Sequence, residues 1–312
     1  MSVSPSRGPS DGGSNRAAGE PHPPVTLRTL SQMAKRGEPF ACLACYDATT
    51  ARWLARGGVH LLLAGDSAAQ VVLGLERTID APLEFMIQIT AAIKRGAPDA
   101  VVMADMPFLS YHLSEAQAIE NAGRFMTEGK ADCVKLEADA SLAPIIARMT
   151  SAGIPVCAHV GFRPQTTGLV GVPTAKGRRA DEAKRIVDDA VALEGAGAVL
   201  LLVEAVPPEV ARAVVEATSV PVIGIGAGTD CHGQILVVND LIGMTDEAPR
   251  FAEPVAQVGE EIRRAGAEWV RRVSSGDVGG RAYRMHEGEA AALASEKARN
   301  PEAGVNEPPV SR

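Results

Sequence analysis

The sequence predicts an α/β protein, a (β/α)8 TIM barrel, on three observations: short apolar runs recur from Phe40 onward, longer amphipathic segments separate them, and several runs stop in polar residues. The eight runs are FACLACYD, HLLLAGDS, AVVMADMP, DCVKLE, IPVCAHVG, AVLLLVEAVP, VPVIGIGAG and QILVVND. Their length and unbroken hydrophobicity suit strands covered on both faces, the condition of a parallel sheet under helices. An open doubly wound sheet is the competing architecture. A phosphate-binding G-x-G-x-x-G turn should then follow the first strand, and none does.

Taken in order, the first run carries Cys42 and Cys45. A strand's period of two sends these sulfurs to opposite faces, and no second cysteine pair accompanies them, so they are read as core rather than as a redox or zinc pair. The second run ends in Gly-Asp-Ser and precedes LEFMIQITAAIKRG, whose apolar residues fall at helical spacing. After the third run, SEAQAIENAGRFMTEG opens with Ser114 and Gln117 in the pattern of a capping box. Gly129, Gly153 and Gly197 stand where helix C-termini call for a left-handed residue. ADEAKRIVDDAVALEGAG and PEVARAVVEATS supply the helices around the sixth run. Gly226 and Gly228, closing the seventh, suit a tight turn or a close backbone approach to a ligand. The connection from Phe162 to Arg179 is long and rich in Gly, Pro and Thr, and is expected to act as an active-site lid.

Composition sets the class of partner. The chain of 312 residues is 46% hydrophobic and 22% charged, which is ordinary globular protein. Its net charge of -7, without a basic cluster, argues against nucleic acid or an anionic membrane and favours a small ligand. No apolar run approaches ~18 residues, so no membrane span is expected. Residues 1–24 are expected to form a disordered arm, 25–286 the barrel with a C-terminal helix, and 287–312 a flexible tail. The arm lacks the apolar core of a signal peptide, and the five cysteines form an odd set, so a cytoplasmic location is expected.

The chemistry is expected where the strands end, because barrel active sites occupy the C-terminal face. Five runs deliver polar groups there: Asp66 and Ser67, Asp105, Lys135 and Glu137, His159, and Glu204. Each has a plain structural explanation alone, as a cap, a loop opener, a satisfied histidine or an exposed ion pair. Together they are harder to dismiss. Carboxylates from successive strands around one cavity repel one another unless a cation lies between them. Oxygen ligation by Asp66, Asp105 and Glu137 suits a hard divalent ion such as Mg2+, and both Asp105 and Glu137 are expected at the rim rather than in the core. Glu204 follows an apolar strand, where desolvation should raise its pKa and make it a better base. A metal that chelates a 2-oxo acid acidifies the adjacent C–H, so the reaction class is enolate chemistry, with Glu204 as base and Lys135 and Ser67 holding oxygens.

Read in order, CYD, AGDS, IKRGAP, ADMPF, VKLE, IPVCAHVGFRPQ, VEAVP, PVIGIGAG and GQILVVNDLIG resemble the 3-methyl-2-oxobutanoate hydroxymethyltransferase (ketopantoate hydroxymethyltransferase) family over about Thr26 to Val273. The resemblance implies a Mg2+-dependent barrel enzyme. It would transfer a hydroxymethyl group from the co-substrate 5,10-methylenetetrahydrofolate to 3-methyl-2-oxobutanoate, giving 2-dehydropantoate for pantothenate and coenzyme A. By position it implies Asp66, Asp105 and Glu137 as metal ligands, and Asp66, Ser67, Asp105 and Lys135 as oxo-acid contacts. Glu204 would be the proton acceptor and His159 a pocket residue. It further implies a homo-oligomer, a decamer of two pentameric rings. Four loops depart from the family pattern: Arg77 to Glu84, VGVPTAKGR, Cys231 to Gln234, and Asn239-Asp240. Two other readings are a Mg2+-dependent lyase on another small 2-oxo acid, which would need a Lys-Lys-Cys-Gly-His loop absent here, and a non-catalytic barrel, which has no use for this carboxylate set.

Overall fold

In a computed structural model, which describes residues 23–170 and 174–299, eight parallel strands close into a barrel in sequence order. They are β1 (Phe40–Ala44), β2 (Leu61–Ala64), β3 (Val101–Asp105), β4 (Cys133–Glu137), β5 (Val156–Gly161), β6 (Leu200–Glu204), β7 (Val222–Ile225) and β8 (Gly233–Val237). Closure pairs β1 with β8, Phe40 opposite Gly233 through Ala44 opposite Val237. A closed ring has no sheet edge to protect, and the doubly wound alternative is set aside.

Helices return the chain along the outside. Ala48–Arg56 follows β1, Leu83–Gly96 follows β2, Glu115–Thr127 follows β3, Ala143–Ser151 follows β4, Ala180–Gly195 follows β5 and Pro208–Ala217 follows β6. β7 and β8 are joined by residues 226–232 without a helix. The inner faces of these helices bury Met86, Ile93, Phe125, Ile146, Met149, Leu193 and Val214 against the strands. Each such side chain contributes about 1.5–3 kcal/mol relative to exposure. Cys42 and Cys45 are both buried free thiols, as core residues should be.

Two local expectations need correction. Ser114 caps its helix by accepting the Gln117 N–H, but the Gln117 side chain accepts from the Leu113 N–H instead of that of Ser114, so the capping box is half made. Gly153 and Gly197 are left-handed, with φ of 86° and 100°, whereas after Glu115–Thr127 the left-handed residue is Lys130, φ 57°, rather than Gly129. Gly129 is required for space: a Cβ there would lie 2.6 Å from the Phe125 carbonyl.

The chain divides into two compact units, 1–259 and 260–312. The second contains the greater part of the helix Val258–Ser275 and the helix Glu289–Arg299. Exposed pairs such as Glu260 with Arg263 and Glu268 with Arg271 lie one turn apart along the former. Among the described residues no helix is long and apolar enough to cross a membrane. The expected arm lies outside the described residues except for its last two, and so does the end of the expected tail. Residues 171–173 of the expected lid also lie outside them.

Candidate active site

A cavity of about 1140 Å³ opens at the C-terminal ends of the strands. Asp66, Ser67, Asp105, Lys135, Glu137, His159 and Glu204, the seven residues expected there, all line it. Strand register explains the convergence. Asp105 on β3 lies opposite Lys135 on β4, and Glu137, two residues further up the same face, lies opposite His159 on β5.

The polar groups form one chain of contacts. Lys135 Nζ is 2.8 Å from Asp105 Oδ1 and 3.3 Å from His159 Nδ1. His159 Nε2 is 3.3 Å from Glu204 Oε2. With a protonated lysine on one side, Nδ1 must accept, so Nε2 carries the proton and faces the glutamate. Asp105 Oδ2 accepts the backbone N–H of Asp66 at 3.0 Å. Its Oδ1 touches the ammonium off hydrogen-bond alignment and stays unsatisfied, as does His159 Nε2.

Burial and charge set the protonation states. Asp105, Lys135, Glu137 and His159 are each at most 6% exposed. Burial opposes charge on Lys135, but Asp105, Asp66 and Glu137 together outweigh it and raise its pKa. Burial raises Asp105, which Lys135 opposes and Asp66 reinforces. Burial and then the Asp66 charge raise Glu137 well above the carboxylate range. Burial, and then Lys135, lower His159 far enough to keep it neutral. Glu204 is pushed up to about 7 by burial, with Lys135 pulling the other way. Four carboxyl groups thus share one ammonium, and three of them bind a proton more readily than a free acid does.

This arrangement fits a divalent cation. Excess carboxylate around one cavity, an Asp105 oxygen that has the Lys135 ion pair but no hydrogen bond, and oxygen donors from three strand ends suit a hard ion. Among the described residues no three acidic, imidazole or thiol side chains already meet as a coordination cluster. Asp105 turns to Lys135 instead.

Sequence reading missed four contributors. The Tyr46 hydroxyl is 2.8 Å from Ser67 Oγ and fixes that side chain. Asp240, 7% exposed, closes the cavity beyond β8. Gln165 and Tyr111 lie behind the carboxylates and bond to each other at 2.9 Å. Tyr46 and Asp240 sit in CYD and VVND at strand ends and were legible there; Gln165 lies in a loop, where one sequence carries no signal for it.

Residues 24–280 match the family model described as ketopantoate hydroxymethyltransferase. The chain is 43% identical over 249 residues to the 3-methyl-2-oxobutanoate hydroxymethyltransferase of Roseiflexus sp. (strain RS-1), covering 80% of this chain and 89% of that one. It is 42% identical over 276 residues to the enzyme of the same name from Chloroflexus aurantiacus (strain ATCC 29366 / DSM 635 / J-10-fl), covering 87% and 98%. Among solved structures, a phosphonopyruvate hydrolase in complex with oxalate and Mg++ is similar with TM-score 0.55 and 14% identity, covering 91% of this chain and 100% of that one. A 2,3-dimethylmalate lyase of the PEP mutase/isocitrate lyase superfamily gives 0.55 and 16%, covering 88% and 99%. At such identities these two structures speak for the barrel alone. The family match spans most of the chain, and the two relatives agree with it: the protein belongs to the ketopantoate hydroxymethyltransferase family.

Proposed function

We propose that this chain moves a hydroxymethyl group from 5,10-methylenetetrahydrofolate to 3-methyl-2-oxobutanoate, giving 2-dehydropantoate, with Mg2+ bound by Asp66, Asp105 and Glu137. The observation that carries the reading is the contact chain from Asp105 through Lys135 and His159 to Glu204 on one cavity wall. It holds a cation-binding edge, a fixed positive charge and a base of raised pKa within one substrate's reach.

Bound Mg2+ supplies positive charge that polarises the oxo-acid carbonyl. The Lys135 ammonium and Ser67 hydroxyl hold the acid's oxygens, and the ammonium stabilises charge as C3 loses its proton. Glu204 receives that proton, aided by a pKa near neutrality. His159 stays neutral, with Nε2 facing Glu204 Oε2 at 3.3 Å. Water first cleaves the two C–N bonds of the donor's methylene bridge, leaving tetrahydrofolate with its nitrogens protonated and a one-carbon unit at the formaldehyde level. C3 then attacks that carbon, its C=O π bond opens, and the oxygen, which came from water, takes up the proton released from C3 and becomes the hydroxyl.

The same reading includes a homo-oligomer of the decameric kind and a cytoplasmic location. Ile262, Trp269, Val270 and Val273 are more than half exposed on the helix Val258–Ser275 and offer apolar surface to a second copy. Sedimentation at micromolar concentration tests the assembly. Turnover of 3-methyl-2-oxobutanoate with and without the folate donor tests the reaction. Product formation that ignores the donor would favour the lyase reading, and C3–H exchange without transfer would point to a different one-carbon source.

A further inference from the structure

Gln165 bonds to groups at the ends of three other strands, yet it is 6% exposed and does not itself line the cavity. It sits in a short 3-10 turn, Pro164–Thr166, directly after β5. Arg163 anchors the start of that turn through Nη1 to Asp139 Oδ2 at 2.8 Å. The Thr166 hydroxyl closes it by donating to the Arg163 carbonyl at 2.8 Å.

Every polar group of Gln165 that can point inward is used. Its backbone N–H donates to Glu137 Oε2 at 2.9 Å. One side-chain contact runs from Nε2 to Asp66 Oδ2 at 2.9 Å, and another from Nε2 to the Met106 carbonyl at 3.1 Å. Oε1 accepts the Tyr111 hydroxyl at 2.9 Å. An amide has two donors on one end and an acceptor on the other, so the two acceptors, Asp66 Oδ2 and the Met106 carbonyl, decide which end faces Asp66, and the Tyr111 hydroxyl, which also lies 3.3 Å from the Glu137 carbonyl, meets the other end. Reversing the amide would set Oε1 against two acceptors.

One residue therefore reaches the ends of β2, β3 and β4, the strands that carry Asp66, Asp105 and Glu137. On both acids it occupies one oxygen and leaves the other free. Buried carboxylates that repel each other need such donors to hold a single orientation, and fixing them beforehand removes an ordering cost from cation binding.

We propose that Gln165 is the positioning residue of the cation site: it orients Asp66 and Glu137 from the loop after β5 and thereby sets the affinity for the ion. The inference rests on reading this site as one for Mg2+. Gln165 touches neither substrate nor ion and acts through the two carboxylates.

The test measures Mn2+, an oxygen-seeking probe of the same site, by electron paramagnetic resonance of the free ion. Wild type is compared with Gln165→Met, Gln165→Asn and Tyr111→Phe. Gln165→Met fills the space without donors or acceptor and should weaken Mn2+ about 10-fold or more, the scale for groups that support metal ligands. Both variants keep the backbone bond to Glu137 and test the side-chain hold on Asp66; Gln165→Asn retains an amide that falls a methylene short of Asp66, and should lie between. Tyr111→Phe leaves the amide in place without the hydroxyl that meets its oxygen, and should cost about 3-fold, the weight of one neutral hydrogen bond. In all three the Mg2+ concentration for half-maximal turnover should rise in parallel, while kcat at saturating Mg2+ stays near wild type. Equal Mn2+ affinity across folded variants overturns the proposal, as does a kcat loss that no Mg2+ concentration restores. If Gln165→Met does not fold, the other two decide by the same criteria. Wild type that binds no Mn2+ defeats the cation reading itself, an outcome distinct from equal binding by all four proteins.

Discussion

The barrel mouth has two unlike arcs. Strands β2 to β6 end in Asp66, Asp105, Lys135 with Glu137, His159 and Glu204, all on the cavity. Strands β7, β8 and β1 present Ile225, Gly226, Ile235, Val237 and Ala44 to the same space, with Phe251 and Pro249 from the loop after β8. Both arcs come from the same repeat and line the same cavity. The difference teaches where charge and where shape are supplied: the strand ends of one arc hold the buried charges, whereas those of the other give apolar surface and close backbone approach, with Glu247 and Arg250 of the loop after β8 as its charged lining. Asp240 is the buried acid on the quieter arc, and it lies within electrostatic reach of Tyr46, whose pKa it helps to raise after burial has done so.

The largest expected effect comes from breaking the charged arc at its cation edge. Asp105 and Glu137 are more deeply buried than a rim position implies, at 2% and 4% exposure. Asp105→Ala would leave the Lys135 ammonium with a lost partner, at a stability cost of about 3–5 kcal/mol. Asp105→Asn and Glu137→Gln keep the shape and are the cleaner variants. Both should lose Mn2+ binding and turnover together while melting near wild type. Full turnover by wild type in excess EDTA would show that this arc binds no required metal.

Next comes the base. Glu204→Gln keeps size and polarity but cannot take a proton. It should bind 3-methyl-2-oxobutanoate with near-native affinity and lose deuterium exchange at C3 by ~100-fold or more. Proton NMR without any folate reads this directly. Exchange at the wild-type rate would move the role to another residue, His159 first.

The same carboxylate predicts a pH profile. Its folded pKa is raised, to about 7, mainly by burial. A raised acid is protonated, and so inactive as a base, below that value. Exchange should therefore fall about tenfold per pH unit below pH 7 and level off above it. A plateau reaching down to pH 5 would place Glu204 in a more solvated setting than the cavity shows.

Much of this was legible in the sequence because strand periodicity and strand ends are local facts. Lys135 and Glu137 had to share a face, and the runs ending in GDS, AD and KLE had to end at one rim once the barrel closed. The helix Leu83–Gly96 matches the segment that periodicity marks. What was not legible depends on contacts far apart in the chain. The Gln165 bond to Asp66 spans 99 positions, and nothing within GFRPQ announces it. Gly129 failed for a related reason: its neighbours limit its space, and the left-handed turn moves on to Lys130. Capping at Ser114 was half right because Gln117 had two backbone donors within reach, and the Leu113 N–H received its side chain.

The smallest expected effect lies on the apolar arc and gives the comparison its sharpest control. Phe251 packs on Gly226, which is left-handed at φ 58°, and a Cβ at that glycine would lie 2.8 Å from the ring. The ring thus uses the room that a missing side chain leaves, and it lines the cavity beside β7, whose Ile225 pairs in register with Glu204. It is 43% exposed. Truncation should therefore cost less than the ~3–5 kcal/mol of a buried Phe→Ala change, about 1–2 kcal/mol. Nothing in the chain from Asp105 to Glu204 passes through it. Phe251→Ala should leave C3–H exchange within about 2-fold of wild type, since proton removal depends on local charge and geometry at Glu204. With the folate donor present, KM for the donor should rise several-fold, because a flat apolar ring on the cavity wall is where an aromatic co-substrate gains contact. Exchange that dropped together with transfer would mean the two arcs are not independent and that the ring helps to hold Glu204. A variant unchanged in both assays would instead place the donor on the charged side of the mouth, near Arg77 and Thr78, which line its outer edge.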